Sequence, residues 1–364
     1  MKILHVVQHF YPCSGGVEVY LYELCRELIR RGHKSDVVCF NTCVYEYTKL
    51  PAFEEHEGIR IYRVPYINMK YYKMAFSILK YLSGYDVVHI HTLGFFSDLL
   101  VMTKPLHGKP LVLSTHGAMF HTKKFSFGKN IYFYGWDRLV LKGIDETIAV
   151  SKNDVELFSG ITSNITFIPN GLDIGAYSGL ERKPEKGMLL YVGRIAGNKR
   201  VDNLIRAVAS LKGRMPVKLY IAGDDWMGLR TGLERLARDL GVSGNVVFAG
   251  RVSDREKLRL LARAQFFVSA SEYEGFGISI LEAMAAGVPV IANDIDSFRN
   301  FIRHGVNGFL VDFNKPEEVV QLILNIEDKA LKMPKEAKKT ASGYDWGKVI
   351  KMVERVYEQV TRRT

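Results

Sequence analysis

The sequence lacks the features that mark several classes of protein. It has four cysteines in 364 residues, with no CxxC pair and no second cluster that could complete a zinc site. We therefore expect free thiols and a reducing compartment. No stretch approaches the ~20 apolar residues of a membrane span, and the apolar run at the N-terminus is too short for a signal peptide. These absences predict a cytoplasmic protein without a transmembrane anchor. The cysteines are Cys13, Cys25, Cys39 and Cys43.

The composition is that of a globular protein with an excess of positive charge. Apolar residues make up 47% and charged residues 24% of the chain, which excludes disorder, collagen and a disulfide-stapled miniprotein. At about 150 residues per domain, the length predicts two domains. Fifty Lys and Arg against 39 Asp and Glu give a net charge of +11, which predicts an anionic partner. Nucleic acid, a phosphorylated small molecule and an acidic membrane all fit this charge.

Short apolar runs alternate with amphipathic helical stretches along the chain. Ile3–Val7 is typical of a buried strand, and Val17–Arg31 has apolar residues at helical spacing. The pattern restarts at Met188–Val192 after a connection rich in Pro, Gly and charge. This alternation predicts an α/β fold with two tandem Rossmann-like, doubly wound parallel sheets. Ligands of such folds bind beyond the carboxyl ends of the strands, which predicts a site in a cleft between the two lobes.

The predicted domains follow from where the pattern restarts and ends. They are an N-terminal domain 1–170, a C-terminal domain 171–345 and a final helix 346–364 that packs back on the N-lobe. The other predicted strands are Ser35–Phe40, Val87–His91, Leu111–Thr115, Glu146–Val150, Thr166–Ile168, Val217–Ala222, Val246–Ala249, Phe266–Ser269 and Val288–Ala292.

Three loops after predicted strands carry residues suited to a phosphate-bearing ligand. Gly15–Gly16 lets the backbone approach a ligand closely, although such a pair equally suits a simple turn. Arg194 and Lys199 flank the next glycine loop and suit a diphosphate, or are two solvated cations. The segment Glu274–Gly287 leads glycines into a helix whose first N–H groups can bind phosphate. Glu282 lies beside small and apolar residues and is expected to face inward, toward hydroxyl groups.

The Glu-x7-Glu segment from Glu274 to Glu282 resembles the donor signature of the retaining GT-B glycosyltransferases of family 4. The resemblance extends over nearly the whole chain. Each motif is weakly specific alone, but their order and spacing together are typical of the family. The other matching segments are Gly15–Glu18, Ser114–Gly117, Ile168–Asp173, Gly193–Arg194 with Lys199, Gly305–Val311 and Trp346.

The resemblance implies a retaining hexosyltransferase that uses a UDP- or GDP-sugar. Arg194 and Lys199 would hold the donor diphosphate, and the glycines Gly15 and Gly16 would lie against it. In this family the leaving phosphate is thought to take the acceptor proton on the face of attack. The enzyme's task is then positioning and stabilisation of charge on the departing diphosphate.

The resemblance also assigns the remaining donor contacts. The amides of Gly277 and Ile278, after Phe276 in the same segment, would assist the diphosphate site. Glu282 would accept hydrogen bonds from the ribose. The backbone near Arg251 and Val252 would meet the base.

Two residues are implied at the transferred sugar. Glu274 would bind its hydroxyl groups, and His116 would contact it near the anomeric centre. Together with Arg194 and Lys199, these two are the implied catalytic residues.

The sequence Asp294-Ile295-Asp296 is a literal DxD, the metal motif of the other glycosyltransferase fold. Most of the family has Gly-Gly here, so this is a departure. The motif lacks its usual strand context, and two cations already serve the diphosphate, so we expect no metal and no other cofactor. The form Asp294–Arg299 is closer to the phosphatidylinositol mannosyltransferase branch, which favours a lipid acceptor.

Two acid-free stretches of the first lobe combine cations with aromatic rings. Residues 58–85 and 99–136 each carry five Lys or Arg. Such a composition suits the headgroup level of an anionic bilayer, a packed aromatic helix with a basic outer face, or single-stranded nucleic acid. The tandem lobes and the donor signature argue against nucleic acid. We therefore expect a peripheral enzyme on the inner membrane face, with a lipid or lipid-linked saccharide as acceptor.

Candidate acceptor contacts come from the loop after the first strand and from the second acid-free stretch. They are His9, Phe10, Tyr11, Lys123 and Lys124. By contrast, His5 and His89 alternate into sheet positions and are expected in the core.

Two other functions fit part of this pattern. A sugar-nucleotide epimerase of the same fold would act on the donor without an acceptor, and would need a different set of glutamates and histidines. A non-catalytic nucleotide- or lipid-binding module would be expected to have lost one of Arg194, Lys199, Glu274 and Glu282, but all four are present.

Overall fold

The computed structural model describes residues 1–13, 15–43, 49–69, 72–116, 132–330 and 332–363. The chain divides into two units. The first contains Met1–Gly171 together with Trp346–Thr364, and the second contains Leu172–Asp345. Each unit is built on a mainly parallel sheet with helices between its strands, so the predicted fold class is confirmed.

The first unit has its strands in an order typical of doubly wound sheets. The described strands are β1 (Lys2–Val6), β2 (Lys34–Phe40), β3 (Phe53–His56), β4 (Ile59–Val64), β5 (Ile67–Met69), β6 (Tyr72–Met74), β7 (Val87–His91), β8 (Leu111–Ser114), β9 (Glu146–Ala149) and β10 (Ile165–Phe167). Eight of them form one sheet in the order β10-β9-β8-β7-β1-β2-β4-β3. Its neighbouring strands are parallel except β3 and β4, and β5 pairs with β6 in a separate antiparallel hairpin.

Helices cover both faces of this sheet. The described α-helices of the first unit are Gly16–Arg30, Phe95–Met102, Lys104–His107, Arg138–Lys142, Lys152–Ser159 and Trp346–Arg363, with a 3₁₀ helix at Phe76–Tyr81 and a π-helix at Tyr132–Asp137. Successive residues of β1 enter different apolar clusters: Ile3 packs with the Gly16–Arg30 side and Leu4 with the Phe95–Met102 side. This alternation is why the strand reads as a continuous apolar run in the sequence.

The C-terminal helix packs within the first unit. Its apolar stripe enters the same cluster as Ile3, through residues such as Val353 and Tyr357. Trp346 begins this helix and lies against Gly171, where an added Cβ would come within 2.2 Å of the indole. Only a glycine therefore fits at that position of the Pro-Asn-Gly segment.

The second unit contains a fully parallel sheet. Its described strands are β11 (Met188–Val192), β12 (Lys218–Ala222), β13 (Val246–Gly250), β14 (Phe266–Ser269), β15 (Val290–Asn293) and β16 (Phe309–Val311). Their order is β13-β12-β11-β14-β15-β16. The described α-helices are Val201–Leu211, Arg230–Asp239, Asp254–Arg263, Ile278–Ala285, Asp296–Arg299, Pro316–Asn325, Glu327–Ala330 and Met333–Ala341, and short 3₁₀ helices lie at Gly175–Tyr177, Gly197–Lys199, Ser243–Asn245 and Ser342–Tyr344.

One expectation about the cysteines is wrong. Cys13 and Cys43 form a disulfide across a sequence separation of 30 residues, whereas Cys25 and Cys39 are free and buried. The two bonded residues follow β1 and β2, which are neighbouring parallel strands, so the segments after their carboxyl ends emerge side by side. A search for closely spaced cysteines cannot detect a pairing that depends on strand order.

Candidate functional site

The predicted donor residues of the second unit lie at one edge of its sheet. Strands β11 and β14 are parallel neighbours, so the loops after them leave the sheet side by side. The backbone joins these loops directly, because Glu272 N donates to Asn198 O at 2.9 Å. Asn198 Nδ2 in turn donates to Tyr273 O at 3.0 Å. Residues 75 positions apart in the chain are thereby brought into contact.

Lys199 and Glu274 form an ion pair at this edge. Lys199 Nζ donates to Glu274 Oε1, and the two side chains are 12% and 18% exposed. Ser271 Oγ also lies 3.4 Å from the same carboxylate oxygen, and Ser297 Oγ donates to the Glu274 carbonyl. The cation predicted for the diphosphate and the carboxylate predicted for the sugar thus neutralise each other here.

Arg194 is exposed, and the residue after it, Ile195, lines a pocket. The Arg194 guanidinium sits 5.1 Å from the ring of Trp226, a favourable cation–π distance. The pocket is lined by Ile195, Gly223, Asp224, Asp225, Arg230, Phe248, Gly250 and Arg251. Arg251, predicted near the base, therefore does line a pocket, and Val252 follows it in partly buried contact with the second-unit core.

The helix Ile278–Ala285 begins at a glycine with a positive φ. Gly277 has φ of +99°, and an added Cβ would lie 2.9 Å from the ring of Phe298. Within the described residues, the N–H groups of Ile278 and Ser279 have no acceptor in the helix and can bind a ligand, whereas Ile280 N donates to Gly277 O at 3.0 Å. Phe276, just before the turn, packs its ring 5.7 Å from that of Tyr344.

Glu282 faces inward, as predicted, and has two donors on one of its oxygens. Lys257 Nζ lies 2.7 Å and Tyr177 OH 3.0 Å from Glu282 Oε1. Among the described residues, Glu282 Oε2 has no hydrogen-bond partner. Burial, followed by the Glu282 carboxylate, raises the pKa of Tyr177 well above its ordinary value, so its hydroxyl stays a donor. The second oxygen is thus free to accept from a ligand hydroxyl group.

The DxD residues are held by one arginine. Arg299 donates to Asp294 at 2.6 and 2.9 Å and to Asp296 at 3.1 Å. The arginine holds the pKa of Asp294 below its usual range. Arg299 thus engages both oxygens of Asp294 but only Oδ1 of Asp296, and a metal ion at this motif would compete with the guanidinium for Asp294.

In the first unit, the glycine pair and His116 follow two strands of the same sheet that are separated by one strand. Gly15 precedes the helix Gly16–Arg30 at the end of β1, and His116 follows β8, with β7 between the two strands in the sheet. An added Cβ on Gly16 would meet no atom of the described residues within 4 Å, whereas one on Gly15 would lie 2.2 Å from Glu18 Oε2. The space beside Gly16 is therefore open to a ligand.

His116 is one of four clustered histidines. Its Nε2 lies 3.1 Å from His91 Nδ1, and His91 Nε2 lies 3.1 Å from His5 Nδ1. His89 stands beside them and bonds Tyr357 OH at 2.7 Å and Ser114 Oγ at 2.8 Å. Burial lowers the pKa of His5 and of His116 to about 3 and places the pKa values of His89 and His91 well below the ordinary value. All four rings are neutral near pH 7.

The predicted acceptor residues are in different environments. His9 is buried, with Nδ1 at 2.6 Å from Thr42 O and Nε2 at 3.2 Å from Lys73 Nζ. Phe10 is a core residue with 1% exposure, so we do not retain it as an acceptor contact. Tyr11 is partly exposed and stacks on His56 with ring centroids 4.0 Å apart. The predicted acceptor residues Lys123 and Lys124 fall outside the described residues.

Sequence reasoning missed several residues that the structure places at these sites. Lys257 and Tyr177 bind Glu282 from 25 and 105 positions away, and no local pattern signals such contacts.

A buried carboxylate of the first unit, Asp137, was also missed. Its side chain is fully buried, and neither carboxylate oxygen has a hydrogen-bond partner among the described residues. Burial, followed by repulsion from Asp98, raises the pKa of Asp137 to about 7.

Comparison with known proteins supplies a family context for this geometry. The family model "Glycosyl transferases group 1" matches residues 178–343, and "Glycosyltransferase Family 4" matches residues 14–175. The chain is 33% identical over 361 residues to the GDP-mannose:cellobiosyl-diphosphopolyprenol alpha-mannosyltransferase of Xanthomonas oryzae pv. oryzae, covering 96% of this chain and 94% of the relative.

Two further similarities point the same way. The chain is 28% identical over 380 residues to the phosphatidyl-myo-inositol mannosyltransferase of Mycolicibacterium smegmatis, covering 99% of this chain and 94% of the relative. Among solved structures, sucrose-phosphate synthase from Thermosynechococcus elongatus superposes with a TM-score of 0.84 at 19% identity, with each chain fully covered. This last likeness concerns the fold alone.

Proposed function

Because the chain belongs to the group 1, family 4 glycosyltransferases, we propose that it transfers a hexosyl unit from a UDP- or GDP-sugar to a lipid or lipid-linked saccharide. In this proposal the transfer retains the anomeric configuration and needs no metal ion. The fold of its two units is GT-B.

The observation that carries the donor proposal is the Lys199–Glu274 ion pair. A nucleotide diphosphate sugar offers a dianionic diphosphate and a polyhydroxylated ring side by side. The ammonium can exchange its carboxylate partner for diphosphate oxygens, and the carboxylate released can accept hydrogen bonds from sugar hydroxyl groups. A paired site of this kind is nearly neutral before the donor binds, which limits the cost of holding both charges partly buried.

The remaining donor contacts follow from the same edge of the sheet. Arg194 can leave the Trp226 ring to bind the diphosphate, and the N–H groups of Gly277 and Ile278 can serve the same oxygens. Glu282 Oε2, which has no partner among the described residues, supports a contact with the ribose, and the pocket lined by Arg251 supports a site for the base.

The proposed reaction is a displacement at the anomeric carbon on one face. The bond from the anomeric carbon to the diphosphate oxygen breaks, the acceptor oxygen bonds to that carbon from the same side, and the acceptor proton passes to the departing diphosphate. Cations and N–H groups aimed at the leaving group stabilise its developing charge. One carboxylate near the sugar is sufficient for this scheme, and Glu274 fits that role.

Metal independence is supported by the contacts of Arg299. This residue binds both oxygens of Asp294 and one oxygen of Asp296, so a metal ion at the DxD sequence would compete with a guanidinium. Addition of EDTA to purified enzyme is expected to leave the transfer rate unchanged, and restoration of a lost rate by Mg²⁺ or Mn²⁺ would contradict this part of the proposal.

The acceptor proposal is supported by the relatives and by the surface of the first unit. The two curated relatives are named for a diphosphopolyprenol and a phosphatidyl-myo-inositol acceptor. Within the first unit, Ile67, Met69 and Phe76 are each more than half exposed and lie in the first acid-free stretch. Exposed apolar side chains in a basic region suit the surface of an anionic bilayer.

No helix in the described part of the chain is long and apolar enough to cross a membrane. We propose peripheral binding at the inner face. In flotation assays the protein should bind vesicles of phosphatidylcholine with phosphatidylglycerol better than phosphatidylcholine alone. Replacing Ile67, Met69 and Phe76 by serine should reduce binding. The matched control replaces three exposed apolar residues of the second unit: Met227, Val306 and Leu324. Equal binding to both vesicle types would overturn the membrane proposal.

The transfer itself can be tested with a panel of nucleotide sugars. GDP-mannose is the first donor to test, because a relative is named for it, followed by UDP-glucose and UDP-N-acetylglucosamine. Donors are incubated with polyprenyl-diphosphate saccharides or phosphatidylinositol, and the anomeric configuration of the product is read by NMR. An α-linked product from an α-linked donor supports retention. Conversion of the donor without an acceptor would instead favour the epimerase, and binding without conversion the non-catalytic module.

A further inference from the structure

The histidine row formed by His5, His91 and His116 runs from the core of the first unit to its partly exposed edge. His5 and His91 have 0% and 1% exposure, whereas His116 is partly exposed at the end of β8. The two links of the row are each 3.1 Å long and use different nitrogens of His91. The three rings thus form one continuous chain of hydrogen bonds.

A neutral imidazole has one N–H donor and one acceptor nitrogen, so the row can be polarised in only two ways. In the first, His5 Nδ1–H donates to His91, and His91 Nδ1–H donates to Nε2 of His116. In the second, every donor is reversed. Burial keeps all three rings neutral near pH 7, so a mixed arrangement with a doubly protonated ring does not arise.

The inner end of the row decides between these polarities. Nε2 of His5 is buried and has no hydrogen-bond partner among the described residues. In the first polarity this atom is a bare acceptor, and in the second it is an unpaired N–H. Buried backbone N–H groups without an acceptor are rarer in proteins than under-satisfied backbone carbonyls, and we extend this preference to the two imidazole nitrogens. The first polarity is therefore favoured, and in it the outer nitrogen of His116, Nδ1, carries the proton.

The surroundings of the row restrain the outer ring. His116 adopts a left-handed backbone conformation with φ of +45°, and the ring of Tyr20 packs edge-on against it at 5.0 Å. Because Nε2 is used by His91, the ring can offer only Nδ1 to a ligand.

We propose that His91 and His5 are positioning residues that hold His116 as its Nδ1–H tautomer, so that His116 offers a hydrogen-bond donor to an oxygen of the transferred sugar. The contact with the sugar rests on the proposed function, whereas the tautomer of His116 does not.

A metal ion is the alternative use of this cluster. One ring nitrogen from each of His5, His89 and His91 lies within 4.8 Å of the others. Both nitrogens of His89 and both nitrogens of His91 already have hydrogen-bond partners. A metal ion would have to break several of these bonds, so the structure favours the hydrogen-bonded row.

The test reads the tautomer directly. Long-range ¹H–¹⁵N spectra of protein labelled with ¹⁵N-histidine distinguish Nδ1–H from Nε2–H rings, and the His116 signals are assigned by their loss in His116→Gln. We expect an Nδ1–H tautomer in the ligand-free wild type. An Nε2–H tautomer there would overturn the proposal, as would changes in the His5 and His91 signals that show zinc binding on addition of Zn²⁺. This measurement needs only the folded wild type and the His116→Gln variant that assigns its signals.

A matched pair of variants tests the role of the row. His91→Gln breaks the link to His116, whereas His89→Gln alters an equally buried histidine on the same strand that lies outside the row. His91→Gln should shift His116 away from the Nδ1–H form and lower kcat about tenfold, the loss of one hydrogen bond worth about 1.4 kcal/mol, with the donor Kd little changed. His89→Gln should leave the His116 tautomer unchanged. Equal effects of the two variants on that tautomer would contradict a positioning role for His91.

The tautomer and the proposed function can fail separately. If no donor and acceptor pair is converted but the tautomer results are as expected, the proposed function is wrong and the tautomer assignment still holds.

Discussion

Lys199 and Glu274 bind each other although 75 residues separate them in the chain. Their contact exists because β11 and β14 are neighbours in the sheet, which brings together the loops that follow these strands. The pair is largely buried, with 12% and 18% of the side chains exposed. It unites a cation suited to a diphosphate and a carboxylate suited to a sugar, so the two residues should respond differently to substitution.

Substitution of Glu274 should separate binding from transfer. Glu274→Ala removes a carboxylate that competes with the diphosphate for Lys199, so nucleotide diphosphate binding should be unchanged or tighter. Transfer should fall by at least about 100-fold, because the sugar loses its carboxylate partner. Lys199→Ala should weaken nucleotide diphosphate binding by about 1.5–3 kcal/mol, measured by calorimetry with UDP and GDP.

The control for these variants is Lys315→Ala, which breaks an exposed ion pair with Glu318 of 2.9 Å in the same unit. It should change neither binding nor transfer. Wild-type turnover in Glu274→Ala would refute the proposed role of that residue at the sugar.

The buried histidines of the first unit should make it sensitive to acid. Burial lowers the pKa of His5 and His116 to about 3 and that of His9 to about 4, with His89 and His91 well below 6.5. Below about pH 6.5 the unfolded chain takes up protons that the folded chain does not. Stability is therefore complete above pH 6.5 and falls as the pH drops, by up to about 1.4 kcal/mol per pH unit for each histidine.

Hydrogen exchange of the β1 and β7 amides in urea, at pH 7.5, 6.5 and 5.5, measures this loss in the first unit. The variant His89→Gln should reduce the slope below pH 6.5 by about one proton. If the urea concentration at which the β1 and β7 amides lose half of their protection is the same at pH 7.5 and pH 5.5, the histidine pKa values are not lowered.

Asp137 should have the opposite pH dependence. Its pKa is raised from 3.8 to about 7, so between these values the folded chain keeps a proton that the unfolded chain has lost. This contribution to stability is complete below pH 3.8, is lost as the pH rises to 7, and is constant above that. Asp137→Asn should therefore gain stability relative to the wild type by up to about 2 kcal/mol between pH 5.5 and pH 8. The exposed substitution Asp239→Asn serves as the control and should show no such trend in urea unfolding.

The disulfide can be tested by counting thiols. Denatured, unreduced protein should show two free thiols, from Cys25 and Cys39, and reduced protein should show four. For a loop of 30 residues, loss of the bond should cost about 3–4 kcal/mol in the chain-entropy account. The double variant Cys13→Ser/Cys43→Ser should match the reduced wild type in stability. Four free thiols in freshly isolated, unreduced protein would show that the bond is absent from the native protein.

Two glycines should differ in their tolerance of alanine. Gly277→Ala places a Cβ at positive φ and 2.9 Å from the Phe298 ring, and should destabilise the second unit by about 1–3 kcal/mol. In the part of the chain that the structure describes, the new Cβ of Gly16→Ala meets no atom within 4 Å, and it lies at the start of a helix, so stability should not fall. If the donor lies against Gly16, this variant should still raise the KM for the donor. Thermal unfolding together with donor kinetics separates the two effects, and an unchanged KM would remove Gly16 from the donor site.

Much of the local structure was predictable from the sequence because it depends on short-range patterns. The helix predicted at Val17–Arg31 is found at Gly16–Arg30, and the strand predicted at Phe266–Ser269 has those bounds. The antiparallel strand β3 and the β5–β6 hairpin were not predicted, because they lie among short stretches that lack a clear apolar period. The acid-free stretch around Arg60 and Lys73 thus contains strands as well as surface cations.

The inward position of Glu282 was also predictable, because the small and apolar residues around it belong to the same helix. Its partners Lys257 and Tyr177 were not, since each comes from a different element. The contacts of Arg299 were not predictable either. Arg299 is close in sequence to Asp294 and Asp296, but its hydrogen bonds to both depend on the turn between β15 and the helix Asp296–Arg299.

The sequence alone determined the alternation of strands and helices, the division into two Rossmann-like parts and the loops that carry phosphate-binding residues. These features depend on the spacing of apolar residues and on glycines within a few positions of each other. The tertiary structure decided which loops meet: Lys199 with Glu274, Cys13 with Cys43, and His5 through His91 with His116. Each of these contacts depends on the order of strands within a sheet, and that order is set by packing across the whole unit.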